Sequence, residues 1–176
     1  AMADQKCQSV ELPVALYGMD MCEFSLPEEQ DAIISLMDCM NYLTEEVDLS
    51  AAFTACKENL RQGGLLIFDM NTEYRFREVY GQNTYASTTE DAVYIWENYY
   101  DEEEQINEYA VNLFQKEMDG RYSRSEEFHY EKAYAPERVI HLLNEAGLTL
   151  LALYDGYTFD APTDQSERIF FVATKK

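Results

Sequence analysis

A chain of 176 residues has room for one well-packed domain, and with 47% hydrophobic and 14% aromatic residues it can fill a core. Its 34 acidic against 13 basic residues give a formal net charge of −21, which argues against nucleic acid or anionic membrane as partners, because phosphate has to be met by clustered Lys and Arg.

Residues 3 to 9 are polar and suit the end of a helix. Pro13 breaks that pattern, and Val14 to Met21 reads as a short strand that closes on the acidic Asp20. Glu23 to Gln30 carries Leu26-Pro27 among acids and reads as a surface connection. Ala32 to Met37 is then a continuous apolar run with two isoleucines, the pattern of a strand buried on both faces. Asp38, Asn41 and Thr44 supply turn and cap chemistry. Leu49, Ala52, Phe53, Cys56 and Leu60 follow at a spacing that predicts a helix with one apolar face, stopped by Gly63 and Gly64. Leu65 to Met70 is a second buried run, and a strand, helix, strand unit of this length predicts a right-handed parallel crossover. Ligands of such sheets sit beyond the carboxyl ends of the strands, here Met37 to Asn41 and Asp69 to Asn71.

After Asn71 the alternation lapses. Thr72 to Val79 suits a short helix bearing Tyr74, Arg75 and Phe76. Thr84 to Ser87, Val93 to Tyr100, Ile106 to Met118 and Arg121 to Tyr134 carry aromatic and β-branched residues at strand spacing, with Asp119-Gly120 as a two-residue hairpin signal. They predict an antiparallel sheet of three or four strands. Asp101 to Glu104 reads as a solvated loop, and His129, among Glu and Tyr, as structural. Pro136 opens a helix whose stripe is Val139, Ile140, Leu142, Leu143 and Ala146, and Gly147 closes it. Leu148 to Tyr154 and Arg168 to Thr174 are two further strands, with acids near Arg168 for it to pair with. The pattern divides the chain into 3–72, an antiparallel sheet over 73–135, and a closing helix with two strands over 136–176.

The four cysteines, at 7, 22, 39 and 56, form no CxxC and have no histidine close in sequence, so no metal site is expected and the thiols suit a reducing compartment. No apolar run reaches membrane-spanning length and no basic-then-apolar leader opens the chain, so the expected location is cytoplasmic.

Two segments carry a resemblance. Leu36-Met37-Asp38-Cys39-Met40-Asn41-Tyr42-Leu43 follows the pattern LxDxxNYL, and Gly63-Gly64-Leu65-Leu66-Ile67-Phe68-Asp69-Met70-Asn71 follows GGxxIFDxN. In this order and separation they resemble the fourth strand, following helix and fifth strand of small bacterial class I S-adenosylmethionine-dependent methyltransferases. The resemblance implies an α/β, Rossmann-like sheet with an inserted antiparallel sheet, S-adenosyl-L-methionine as cofactor, and transfer of a methyl group to a small molecule. It implies that Asp20 and Met21 face the adenine and that Met37 and Asp38 pass the sulfonium. Asp20 alternatively does no more than end a strand, and Asp38 caps a tight turn. Insertions after the fifth strand cover the acceptor in such enzymes, which makes Tyr74, Tyr94 and Trp96 candidate acceptor contacts, beside Asn41, Tyr42 and Asn71 at the strand ends. The competing reading of the aromatic residues is glue between sheet and core. No catalytic residue is singled out, since positioning and desolvation carry such reactions.

The glycine-rich loop that such enzymes wrap around the cofactor has no match, because the seven glycines, at 18, 63, 64, 81, 120, 147 and 156, form no GxG. By resemblance the chain reads as an N-terminally truncated enzyme lacking roughly 70 residues, the length of two strand and helix units. Weak or absent cofactor binding and an inactive fragment are then expected, with a non-catalytic pseudoenzyme or partner subunit as the alternative. In the family's strand order, 3-2-1-4-5-7-6, such a gap bares the edge of Ala32 to Met37. Either Val14 to Met21 moves in beside it or two copies pair as a homodimer.

Overall fold

The computed structural model describes residues 5–7 and 14–176, and Gln5 to Cys7 are helical. The other residues of the helix end expected at 3 to 9 lie outside the described residues. A main four-stranded sheet is ordered β1 (Gln30–Ser35), β2 (Leu60–Asn71), β8 (Arg168–Lys175), β7 (Leu148–Asp155). β1 and β2 are parallel, and β8 runs antiparallel between β2 and β7. That is the 4-5-7-6 part of the order the resemblance implies. The second sheet is an antiparallel meander of β3 (Thr84–Thr88), β4 (Ala92–Asp101), β5 (Ile106–Lys116) and β6 (Tyr122–Lys132).

Helices α1 (Glu46–Asn59) and α2 (Pro136–Glu145) cover the main sheet. Their stripes, Leu49, Phe53 and Cys56 from α1 and Val139, Leu142 and Leu143 from α2, meet Leu66, Phe68 and Phe171 of the strands. Phe68 and Phe171 are register partners and stack at 4.8 Å, while Phe53 tilts onto Phe68 at 5.3 Å. Each such side chain contributes about 1.5 to 3 kcal/mol on burial, so this layer fixes the crossover. A second cluster of Phe76, Tyr80, Tyr100, Tyr109 and Ala133 joins a π-helical turn, Arg75–Tyr80, to the meander.

Several expectations are corrected. β1 is not buried on both faces: it is the edge of its sheet, Ile34 is 60% exposed, and Leu36 and Met37 fall beyond its end and are exposed too. Val14 to Met21 forms no strand and does not move in beside β1; the segment runs unpaired with Val14, Leu16, Tyr17 and Met19 exposed. A strand needs a partner's backbone groups, and this segment finds none among the described residues. Gly63 and Gly64 do not stop α1, which ends at Asn59 where Leu60 turns extended, and where the Asn59 amide donates to Ala55 and Phe24 carbonyls. The two glycines lie in β2 at a bulge, between the pairs Gln30↔Leu60 and Ala32↔Leu65, with Gly63 at φ 75°. A Cβ on Gly64 would stand 2.9 Å from the Arg61 carbonyl oxygen, so the bulge requires glycine there. Thr44 caps nothing, since Glu45 precedes α1 without a side-chain cap. The hairpin turn is also longer than two residues: the last ladder pair is Lys116↔Tyr122, and Glu117 N–H donates to Arg121 O at 2.7 Å. Among the described residues no helix is long and apolar enough to cross a membrane.

Candidate functional site

Beyond β1 the chain turns through Met37 and Asp38, both with positive φ, into a 3-10 turn, Cys39–Tyr42. Non-glycine residues hold that conformation only where the surroundings impose it. Here the Asp38 N–H donates to Asp69 Oδ2 at 3.3 Å, and the Asp38 carboxylate accepts from Arg168 Nη2 at 2.7 Å. Arg168 also ion-pairs with the fully buried Asp69. Asp38 stands at the N-cap position of this turn, but its carboxylate makes no cap bond and goes to Arg168 instead. Register explains the meeting: Arg168 opens β8 opposite Asn71, so it stands at the carboxyl end of β2. Glu167, its sequence neighbour, pairs with Arg75 instead.

Asn41 ties this end of the main sheet to the meander. Its Oδ1 accepts the Asn71 N–H at 2.9 Å, and its Nδ2 donates to the Asn71 carbonyl at 3.1 Å and to the Lys132 carbonyl at 2.8 Å. In the meander, residues paired across strands share a face, so Trp96, Val111 and Tyr109 look the same way as His129 and Glu131. With Asp38, Tyr42 and Tyr80 they line a cleft of 270 Å³ between the strand ends and the meander.

Glu131 is the deepest acid of this cleft. It is 2% exposed, and its Oε2 accepts from Asn71 Nδ2 and from the Tyr109 hydroxyl, both at 3.0 Å. Burial, then the charge of the neighbouring Asp38, push its carboxyl up to about 8. The Asn71 and Tyr109 bonds pull the other way and lose. Burial and the same acids push the Tyr42 phenol up to about 12 and raise Tyr109 strongly, so both remain neutral hydroxyls at pH 7. The Tyr42 hydroxyl is 3.2 Å from His129 Nδ1, and the two rings meet edge to face at 5.9 Å.

Of the candidates read from sequence, Asp38, Tyr42 and Trp96 line the cleft, and Asn71 stands behind Glu131. Asn41 is fully buried, and its amide is committed to backbone partners. Met37 is exposed beside the strand end. Tyr74 lines a different depression, with Thr72, Tyr134 and Pro136, and Tyr94 is exposed further out on the Trp96 face. Asp20 accepts the Cys22 N–H at 2.8 Å, and with Met21 it begins a turn that seats Cys22 Sγ on the Asp48 carbonyl of α1. Sequence reasoning missed Tyr80, Tyr109, Val111 and Glu131, gave Arg168 an acid to pair with but not Asp38 and Asp69, and set His129 aside as structural. The available signal was the alternation of β6, which puts His129 and Glu131 on the inward face.

The chemistry of the lining fits a sulfonium, with an acid at the strand end and π faces opposite. The donor's amino acid end finds no glycine-rich cradle among the described residues. Also among the described residues, no group of three His, Cys, Asp or Glu is set to hold a metal ion.

No protein-family model matches the chain. Two curated proteins named "Putative methyltransferase" are each 30% identical to it over 99% of its length: one from Geobacillus sp. (strain WCH70), of which it covers 71%, and YqeM of Bacillus subtilis (strain 168), of which it covers 70%. The crystal structure of an S-adenosylmethionine-dependent methyltransferase from Clostridium acetobutylicum ATCC 824 superposes with a TM-score of 0.90 at 27% identity, over 98% of this chain and 69% of that one. Strand order, the two sequence segments and these relatives agree, and the chain belongs to the class I S-adenosylmethionine-dependent methyltransferases.

Proposed function

We propose that the cleft between the main sheet and the meander is where a small-molecule acceptor meets the methyl donor. The observation that carries this reading is the position of the cleft at the carboxyl ends of β1 and β2, roofed by Tyr80, Trp96 and Tyr109. S-adenosyl-L-methionine supplies, when bound, a methyl group activated by a sulfonium. Asp38 sets a negative charge beside that sulfonium, and Met37 flanks it. Trp96 and Tyr109 exclude water and fix the acceptor's approach, the largest gain available to a reaction that needs alignment above all. Asp20 and Met21 remain the residues assigned to the adenine, Tyr42 borders the acceptor, and Asn71 acts on it through Glu131, which it holds. Asn41, Tyr74 and Tyr94 act from further out, Asn41 by holding the strand end. The test is transfer of labelled methyl to a panel of small amines, alcohols and thiols. Trp96→Ala should lower the rate about 10- to 100-fold, and an unchanged rate would move the acceptor elsewhere.

The absence of GxG among the seven glycines supports a weak donor affinity for this chain, and with it low or no turnover alone at ordinary donor concentration, so every transfer assay is run with donor in large excess. The same observation supports the second reading, a scaffold that binds without turnover. Calorimetry with S-adenosylmethionine and S-adenosylhomocysteine tests both, and micromolar binding would sink the weak-affinity reading. The bare edge of β1, with Ile34 and Leu36 exposed, supports pairing of two copies as a homodimer. The thiols and acidic surface fit a cytoplasmic protein.

A further inference from the structure

Resting on the methyl-transfer reading, we propose that the acceptor is an amine, held as its ammonium against the aromatic walls of the cleft, and that Glu131 takes the proton its nitrogen must lose before attack. The charge around the cleft carries the first half. Its lining holds two acids, Asp38 and Glu131, and the rings of Tyr80, Trp96 and Tyr109, with no Lys or Arg. The nearby guanidiniums are engaged elsewhere: Arg168 on Asp38 and Asp69, and Arg75 over the Tyr80 ring at 4.8 Å and on Glu167. A carboxylate or phosphate acceptor would find no uncommitted cation in the lining to meet it. An ammonium meets π faces and a carboxyl pair.

Geometry carries the second half. Glu131 lines the cleft together with Asp38 and is fixed by Asn71 and Tyr109. An ordinary carboxylate is some six units too weak a base for an alkyl ammonium, which ionises near 10 as lysine does. Burial and Asp38, by lifting Glu131 to about 8, close most of that gap. The ionised Glu131 accepts the N–H proton, and the freed lone pair forms the N–C bond to the donor methyl. The C–S bond breaks with its electron pair going to sulfur. Ammonium, sulfonium and carboxylate thus become methylammonium, thioether and carboxylic acid, with charge and atoms conserved.

Trp96 is the single tryptophan of the chain, so its fluorescence reads the cleft directly and without donor. With benzylamine, benzyl alcohol and benzoate as probes at pH 7, benzylamine should quench saturably and at least about tenfold more tightly than benzyl alcohol, and benzoate not at all. Binding of benzoate, or of the alcohol as well as the amine, overturns the amine assignment. For Glu131 the readout is the pH profile of methyl transfer to a reactive amine: a limb near 8 that is absent in Glu131→Gln and displaced to lower pH in Asp38→Asn. The groups facing Glu131 are Asp38, Tyr42, Tyr80, Tyr109 and His129, with Arg168 and Arg75 behind, so His129→Gln is the control and should keep the limb. An unmoved limb in both carboxyl variants overturns the role of Glu131, and if Glu131→Gln does not fold, Asp38→Asn decides alone. Saturable quenching by benzylamine with no methyl transfer to any acceptor would refute the methyl-transfer reading for this chain and leave the ammonium site standing. Transfer to alcohols and not to amines would do the reverse.

Discussion

Asn41 and Asn71 clasp one another across the carboxyl end of the main sheet, side-chain amide to backbone amide, at 2.9 and 3.1 Å. The first belongs to the turn after β1 and the second closes β2, and a third bond from Asn41 reaches Lys132 in the meander. Asn41→Ala leaves three buried backbone groups without partners, which should cost about 2 to 4 kcal/mol. Urea unfolding checks it: the midpoint should fall with the slope unchanged. Asn41→Asp should be worse, because it keeps the acceptor and turns both donated bonds into repulsions.

Arg168 carries the charge balance of the strand ends. Replacing it with Met keeps much of the volume but strands Asp69, whose side chain is 1% exposed, and frees Asp38. Breaking a buried pair from one side costs about 3 to 5 kcal/mol. Arg168→Met should therefore unfold at much lower urea concentration, while the double change Arg168→Met with Asp69→Leu should recover part of the loss.

Glu131 makes stability depend on pH in an unusual direction for an acid. Its carboxyl ionises near 4.5 when unfolded and near 8 when folded, burial being the main cause. Between those values the folded state binds the extra proton, so stability is full below about 4.5 and declines as pH rises through about 8. Glu131→Gln should flatten that slope between pH 5 and 8 and should be more stable than the parent at pH 8.5. Thermal midpoints across this range decide it, and a parent as steady as the variant would contradict the assignment.

The edge of β1 predicts an assembly phenotype. Ile34→Lys puts a charge on the exposed face of that strand without entering the core. Sedimentation velocity should show the parent self-associating in a concentration-dependent way and Ile34→Lys remaining monomeric, with thermal midpoints within about 0.5 kcal/mol equivalent of each other.

Local chemistry made most of this architecture readable. Leu49, Phe53 and Cys56 announced α1, and the alternation of β4 to β6 announced the meander. The errors fell where a residue's state depends on its neighbours in space. Ala32 to Met37 lies at the sheet edge as the family's strand order implied, yet its composition is that of a strand covered on both faces, and composition could not tell how much of those faces is open. Val14 to Met21 has strand composition and no partner among the described residues. Gly63 and Gly64 carry the same signal for a helix stop and for a strand bulge, and only the register with β1 separates them. In the site, Asp38 and Asn71 were legible because they sit at strand ends. Glu131 and Arg168 were not, because their importance comes from meeting Asp38 across the fold.

The bond from Asn41 to the Lys132 carbonyl has one more implication. It rivets the floor of the cleft to the base of its roof at the residue next to Glu131, so the two layers cannot rock apart there without breaking buried polar bonds. Selection of what enters is then a matter of a fixed aperture, set when the chain folds, and amide protons on either side of that rivet should exchange with solvent only through global opening.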